Sequence, residues 1–162
     1  MPSVLFVCTA NLYRSPLAAA FLRDELKDMP GGNEWVIDSA GTWTKSGTPI
    51  HAQTIEDAHC FGLDLRTHTS KQVTAELLSR YDLILVMETG HKEALLIEFP
   101  DQSKKIQLLS EVVDGLTYDI PDPISIEGQH DRDVANELYK IITRGYKKII
   151  ALAKTNSNNS TK

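Results

Sequence analysis

The stretch VCTANLYRSP, residues 7–16, places a cysteine and an arginine six positions apart, directly after a short apolar run. A cysteine in this setting could fill a core, act as a redox thiol, ligate a metal or attack a substrate. A loop that curls between Cys8 and Arg14 directs its backbone N–H groups inward, and the helix that follows adds its positive end. Arg14 can then hold two oxygens of a tetrahedral oxyanion. The stretch is typical of a phosphate-binding loop.

The same features stabilise the thiolate form of Cys8, and Ser15 can donate a hydrogen bond to its sulfur. The chemistry this implies is nucleophilic attack on phosphorus, with a covalent cysteinyl-phosphate intermediate. A cysteine and an arginine at this spacing are by themselves a weak pattern. The alternative is a buried cysteine at the end of a strand, with Arg14 as an unrelated surface charge.

A proton donor for the leaving oxygen is expected from the loop YDIPDPISIEG, residues 118–128, which contains Asp119 and Asp122. Asp122 lies between two prolines that restrict the backbone on both sides. Because a general acid must be held accurately, we predict that Asp122 has this role. A plain Pro-Asp-Pro turn is the alternative.

Short apolar segments alternate with helical ones along the chain, and these elements must position the loop. Strands are predicted at SVLFVC (3–8), WVIDSAGT (35–42), DLILVM (82–87) and KKIQLLS (104–110), and helices at 16–29, 51–62, 70–81, 90–98 and 131–154. This alternation predicts a three-layer α/β/α sandwich with a central four-stranded parallel sheet. The phosphate loop then lies between the first strand and the first helix, where ligands bind in such sheets.

Composition limits the function classes. The 162 residues and the polar end of the chain predict one domain over 1–154 and a disordered tail over 155–162. A net charge of −5 gives no reason to expect nucleic-acid binding, and no apolar run is long enough to span a membrane. No histidine–cysteine cluster has metal-binding spacing. The two cysteines, Cys8 and Cys60, fit a reducing cytoplasm, and Cys60 is predicted to lie in the core.

The loop VCTANLYRSP and the PDP sequence at 121–123 resemble two motifs of low-molecular-weight protein tyrosine phosphatases, whose loop is usually C-x-G-N-x-C-R-S-P. The resemblance includes WVIDSAGT, HTSKQ (68–72) and DLILVM, and covers nearly the whole chain. It implies phosphotyrosine hydrolysis with Cys8 as nucleophile, Arg14 as phosphate clamp and Asp122 as the acid that later activates water. It implies no cofactor, phosphotyrosine-containing proteins as partners, a cytoplasmic location, and a monomer or weak dimer.

The resemblance also suggests roles for neighbouring residues. The loop and its hydrogen-bonded support are Thr9, Ala10, Asn11, Leu12, Tyr13, Ser15, Ser39 and His68, and the substrate cleft is walled by Leu12, Trp43 and Ile124. Asparagine suits a left-handed position in a loop. Trp43 could equally be a partly buried packing residue.

Two loop positions depart from the family pattern. Ala10 replaces a glycine, so the loop must use φ angles that alanine tolerates. Tyr13 replaces the second cysteine, which in many relatives forms a protective disulfide, so Cys8 is expected to be more open to irreversible oxidation.

Three alternative functions share the fold or the loop. Protein arginine phosphatases are the nearest, and METGHK (87–92) resembles their sequence, but they have threonine where this chain has Leu12. Arsenate reductases need two further cysteines. A non-catalytic phosphate-binding module is less consistent with a complete set of Cys8, Arg14 and Asp122.

Overall fold

Four parallel strands form the centre of the molecule in the order β2-β1-β3-β4. They are β1 (Ser3–Cys8), β2 (Val36–Gly41), β3 (Leu83–Val86) and β4 (Ile106–Leu108). The computed structural model describes residues 1–123 and 131–160. The predicted α/β/α architecture with a four-stranded parallel sheet is confirmed.

Helices cover both faces of the sheet. They are α1 (Arg14–Leu26), α2 (Ala52–Cys60), α3 (Ala75–Ser79), α4 (Thr89–Glu98), α5 (Leu109–Asp114) and α6 (Asp131–Ser160), with 3₁₀ turns at Gly32–Glu34 and Pro100–Lys105. Alternate residues of β1 enter different cores. Val4, Phe6 and Cys8 pack with α1 and α6, while Leu5 and Val7 pack on the opposite face. Burial on both faces explains why the parallel strands are continuously apolar.

The register brings the carboxyl ends of the strands to one edge. Cys8 pairs with Gly41, and Val7 pairs with Val86. The segments that follow β1, β2 and β3 therefore meet at the same edge of the sheet, which is where a parallel α/β fold binds its ligands.

The helix predicted at 70–81 is wrong for its first half, because only Ala75–Ser79 is helical. The Gly41 N–H donates to the Lys71 carbonyl at 2.8 Å, and the Val73 N–H donates to the Gly41 carbonyl at 2.8 Å. This pairing with the end of β2 leaves the helix to begin after Thr74, whose hydroxyl accepts from the Leu77 N–H at 3.1 Å.

The disordered tail predicted from residue 155 is wrong over 155–160, because α6 continues to Ser160. The Asn156 side chain donates to the Asp82 carbonyl at 2.9 Å, which ties this last turn to the start of β3. The predicted core position of Cys60 is also wrong. The buried face of α2 consists of Thr54, Asp57 and Ala58, and Cys60 is exposed. No helix within the described residues has the length and apolar content needed to cross a membrane.

Candidate active site

Cys8 ends β1 and is 2% exposed, and its sulfur lies 2.9 Å from the hydroxyl of Ser15 in the first turn of α1. The Ser15 oxygen accepts a hydrogen bond from Asn11 Nδ2 at 2.9 Å and lies 3.3 Å from the Ala40 carbonyl. The Ser15 hydroxyl can therefore donate its hydrogen bond either to the Cys8 sulfur or to the Ala40 carbonyl. A thiolate is the nearer and more strongly accepting partner, so Ser15 is placed to stabilise it.

Asn11 holds the loop in place through its backbone conformation and its side-chain hydrogen bonds. It is fully buried with φ +59°, and among described residues other than glycine it alone has a positive φ. Its Nδ2 also donates to Ser39 Oγ at 2.9 Å, and its Oδ1 accepts from the Lys71 N–H at 2.9 Å. The structure thus brings together Ser15, Ser39 and Asn11, which the family resemblance assigns to the support of the loop. Ala10 has no positive φ, so the missing glycine imposes no left-handed strain at that position.

His68 lies at 2.9 Å from the Asn11 carbonyl through Nε2. A carbonyl only accepts hydrogen bonds, so Nε2 carries the hydrogen. Burial lowers the pKa of His68, although the hydrogen bond to Asn11 partly offsets this shift. The imidazole therefore supports the loop in its neutral form.

The loop rests directly on the end of β2. Gly41 is the contact point, because a Cβ there would lie 2.5 Å from the Thr9 carbonyl oxygen. The N–H groups of Thr42 and Trp43 donate to the carbonyls of Cys8 and Thr9 at 2.9 and 3.0 Å. Glycine at this position allows the two backbones to approach this closely.

Arg14 is 2% exposed and is held by acceptors from several segments. Its Nη1 donates to the Ile120 carbonyl at 2.9 Å and lies 3.1 Å from Glu88 Oε1. Its Nη2 lies 3.7 Å from Asp122 Oδ2. The predicted clamp and the predicted acid therefore occupy the same place. Glu88, which balances the buried charge, was not among the predicted residues.

A second unpredicted residue, His91, supports the loop from α4. Its Nδ1 accepts from the Glu88 N–H at 3.2 Å, so Nε2 carries the hydrogen and faces Thr9 Oγ1 at 2.8 Å. Burial and then the charge of Arg14 lower the pKa of His91 to about 4. The only signal in the sequence was the segment METGHK, which indicated family resemblance but no contact with the loop.

The two candidate acids are separated by the fold. Asp119 Oδ1 accepts from the Thr89 N–H at 2.7 Å, which places it at the start of α4. The Asp122 side chain is 31% exposed and faces Arg14. Between them, the Ile120 N–H donates to the Met87 carbonyl at 2.9 Å, so the segment that carries Asp122 is attached to the end of β3.

A cleft of about 270 Å³ opens over these residues. It is lined by Cys8, Ala10, Leu12, Tyr13, Arg14, His51, Gln53, Thr54, Asp122 and Pro123. Leu12 lies in the wall as predicted. Trp43 is 85% exposed, so it is not a packing residue, and it is not part of the cleft lining. Ile124 lies outside the described residues.

Within residues 1–123 and 131–160, no group of three histidine, cysteine, aspartate or glutamate side chains is arranged to hold a metal ion. The Arg14 guanidinium and the N–H groups at the N-terminus of α1 lie at this cleft, and both attract anions. The residues present are therefore arranged for an anion.

The family model for low molecular weight phosphotyrosine protein phosphatase matches residues 3–159. The chain belongs to this family.

Curated relatives carry two kinds of activity in their names. The chain is 36% identical over 121 residues to "Probable low molecular weight protein-tyrosine-phosphatase EpsP" of Ralstonia nicotianae, covering 75% of this chain and 77% of the relative. It is 34% identical over 143 residues to the protein-arginine-phosphatase of Geobacillus stearothermophilus, covering 87% and 91%.

Among solved structures, the low molecular weight protein tyrosine phosphatase of T. tengcongensis matches with a TM-score of 0.80 and 32% identity, covering 93% of this chain and 99% of that one. This family consists of cysteine-dependent phosphatases. The protein is accordingly an enzyme of that class.

Proposed function

We propose that this phosphatase hydrolyses phosphotyrosine in proteins through a cysteinyl-phosphate formed on Cys8. The observation that carries the proposal is the convergence of Cys8, Arg14 and Asp122 on one cleft, with Arg14 Nη2 3.7 Å from Asp122 Oδ2. A nucleophile, an anion clamp and a proton donor at one place are the three groups that phosphate-ester cleavage needs.

In the first step the Cys8 thiolate attacks phosphorus and the bond from phosphorus to the aryl oxygen breaks. Arg14 and the N–H groups at the start of α1 bind the phosphoryl oxygens, and Ser15 supports the sulfur before attack. Asp122 gives its proton to the departing aryl oxygen, so the alcohol leaves neutral and the phosphoryl group remains on sulfur.

In the second step water attacks the phosphocysteine. Asp122, now a carboxylate, takes a proton from that water, and the phosphorus–sulfur bond breaks. Inorganic phosphate leaves and the Cys8 thiolate is restored, so the cycle consumes one water and needs no redox partner or cofactor.

The cleft walls support an aryl substrate. Leu12, Tyr13 and Pro123 offer apolar surface beside the nucleophile, which suits a phenyl ring better than a polar guanidinium. Phosphoarginine is the second candidate substrate, because the arginine phosphatase relative aligns with 87% of this chain. The protein partners we infer are phosphotyrosine-containing proteins.

The same chemistry supports a cytoplasmic location, because a reducing compartment protects a thiolate nucleophile from oxidation. Cys8 and Cys60 are both free thiols. We therefore infer a cytoplasmic enzyme, and the monomer or weak dimer implied by the family resemblance stays a prediction.

Replacing the nucleophile and the acid tests the mechanism. Cys8→Ser should lose p-nitrophenyl phosphate hydrolysis by about a thousandfold or more. Asp122→Asn should slow phenyl phosphate, a poor leaving group, by about 10²- to 10³-fold, and slow p-nitrophenyl phosphate much less. Retained activity in Cys8→Ser, or equal slowing of both substrates in Asp122→Asn, would contradict the assigned roles.

The substrate class is tested with matched peptides carrying phosphotyrosine, phosphoarginine or phosphoserine. We expect the highest kcat/KM for phosphotyrosine. Faster release of phosphate from the phosphoarginine peptide would assign the second candidate instead. Comparable turnover of phosphoserine would contradict an aryl-selective cleft.

A further inference from the structure

Tyr13 makes a contact that the loop chemistry does not use. It lies between Leu12 and Arg14 at the N-cap of α1, yet its side chain is 8% exposed. The hydroxyl donates to Asp57 Oδ2 at 2.8 Å, and the Tyr13 side chain makes no capping hydrogen bond with the N–H groups of the helix. The loop is therefore attached to α2 through this side chain.

Asp57 is a buried carboxylate with partners from three elements. It is 0% exposed. Besides the Tyr13 hydroxyl, its Oδ1 accepts from Gln53 Nε2 at 3.0 Å and lies 3.6 Å from Arg132 Nε. A buried carboxylate is destabilising unless it is hydrogen-bonded or paired with a positive charge. The fold is therefore more stable when all three partners stay in contact with Asp57.

A parallel contact joins the same two elements one residue earlier in the loop. The Thr54 hydroxyl donates to the Leu12 carbonyl at 2.8 Å, and Thr54 is 1% exposed. Thr54 and Asp57 lie three positions apart, on one face of α2. That face therefore holds two successive loop residues, directly before Arg14.

The contact also reaches the other end of the site. Arg132 is the second residue of α6, the helix that follows the segment carrying Asp122 and Pro123. The phosphate loop, through Tyr13, and the start of α6, through Arg132, both contact the buried carboxylate of Asp57. Movement of either one would leave that anion with fewer partners.

We propose that Tyr13, Asp57 and Arg132 form a polar brace that sets the position of the phosphate loop against α2 and α6, with Tyr13 and Asp57 buried and the Arg132 side chain 51% exposed. They are positioning residues, and this role rests on the phosphatase activity proposed above. The tyrosine that replaces the family's second cysteine thus provides a hydrogen bond to α2 that a cysteine would not make. Loosening the brace displaces the N–H groups around Arg14, which must match the phosphoryl oxygens closely.

The test measures phosphate binding without turnover. Inorganic phosphate should protect Cys8 from alkylation by iodoacetamide, and the concentration for half protection gives its affinity. Mass spectrometry follows Cys8 and Cys60 in separate peptides, so the exposed Cys60 serves as the internal reference. Tyr13→Phe, which removes only the hydroxyl, should weaken phosphate binding by about 5- to 20-fold, and Asp57→Asn should weaken it by a similar factor.

Catalysis provides the second readout. kcat/KM for an aryl phosphate should fall by the same factor, while the ratio between phenyl and p-nitrophenyl phosphate stays constant because Asp122 is intact. The double variant should be no worse than the more damaged single variant, since both changes break one contact. Tyr139→Phe is the matched control, because that tyrosine is 42% exposed and packs by its ring on Phe21 and Phe61.

The outcomes separate the two proposals. Phosphate affinity within twofold of the wild type in Tyr13→Phe and Asp57→Asn would overturn the brace, including the case in which only Tm falls. If Asp57→Asn does not fold, Tyr13→Phe decides alone. A wild type that binds phosphate more tightly than both variants but hydrolyses no phosphopeptide would overturn the proposed function and leave the brace standing.

Discussion

Arg14 shows how a buried charge is prepared for an anion. Its guanidinium contacts the Ile120 carbonyl, Glu88 and Thr9 Oγ1, the last at 3.4 Å. These acceptors come from three different segments, so the fork is oriented before any phosphate arrives. An arginine held in this way loses little side-chain entropy on binding, which is the advantage of a preorganised site.

The lowered pKa of His91 leads us to expect that the folded protein is less stable at acidic pH. This pKa is about 4, below the usual 6.5, because of burial and the nearby charge of Arg14. Between these two values the unfolded chain binds a proton at this position that the folded chain does not. The free energy of unfolding should therefore fall as the pH drops through this window, by up to about 3 kcal/mol from this residue.

The measurement compares the Tm of the wild type and His91→Gln near neutral pH and again near the lower pKa. Glutamine can accept from the Glu88 N–H and donate to Thr9 without titrating. The wild type should lose more Tm on acidification than the variant does. Equal losses in the two proteins would show that His91 does not titrate between its unfolded and folded values.

At the scale of elements, α5 packs closely against α6. Gly145 lies opposite Val113, and a Cβ at Gly145 would be 2.5 Å from both Val113 methyl carbons. Arg144 Nη2 donates to Asp114 at 2.6 Å, and Lys148 Nζ donates to the Val113 carbonyl at 2.6 Å. A glycine that weakens the helix by itself is therefore required by the packing.

Gly145→Ala should destabilise the fold by about 1–2 kcal/mol. Alanine improves helix propensity by up to about 1 kcal/mol, but overpacking a core typically costs about 1–3 kcal/mol, and the stiff valine cannot move aside easily. Urea unfolding measures the difference. The same change in a Val113→Ala background should be neutral or stabilising, and a loss of equal size in both backgrounds would contradict the clash.

The same scale shows where local patterns fail. Residues 70–73 belong to the predicted helix, but backbone groups of Lys71 and Val73 pair with Gly41 at the end of β2. A sequence window contains no information about a partner thirty residues away. By contrast β1 has the predicted limits 3–8, because a strand buried on both faces is continuously apolar.

At the scale of the whole molecule, α6 contacts α1, α2, α5, β1 and β3. Its buried side includes Val134, Leu138, Ile141, Ile142 and Ile149. Near its end, Lys154 lies over the Trp35 ring with Nζ 5.9 Å from the centroid. The polar residues after it continue the helix because Asn156 reaches the Asp82 carbonyl.

A chain ending at Lys154 should be less stable than the full chain by about 1 kcal/mol, the contribution of a partly buried hydrogen bond. For a domain of this size that lowers Tm by about 2–4 °C. Calorimetry on the truncated chain and on Asn156→Ala measures it, and the point variant should reproduce most of the loss. An unchanged Tm after truncation would show that residues 155–160 contribute nothing to the fold.

The four strands and the loop between β1 and α1 could be predicted from the amino-acid sequence, because they depend on periodicity and on short spacings. The candidate roles of Cys8, Arg14 and Asp122 came from residue chemistry and from the two family motifs. Contacts between residues that are distant along the chain could be assigned only from the packing of the elements. It placed Asp119 at α4 and left Asp122 beside Arg14. It also supplied Glu88, His91 and Asp57, whose contacts with the loop come from separate elements. Such contacts follow from how the elements pack, and no local pattern records them.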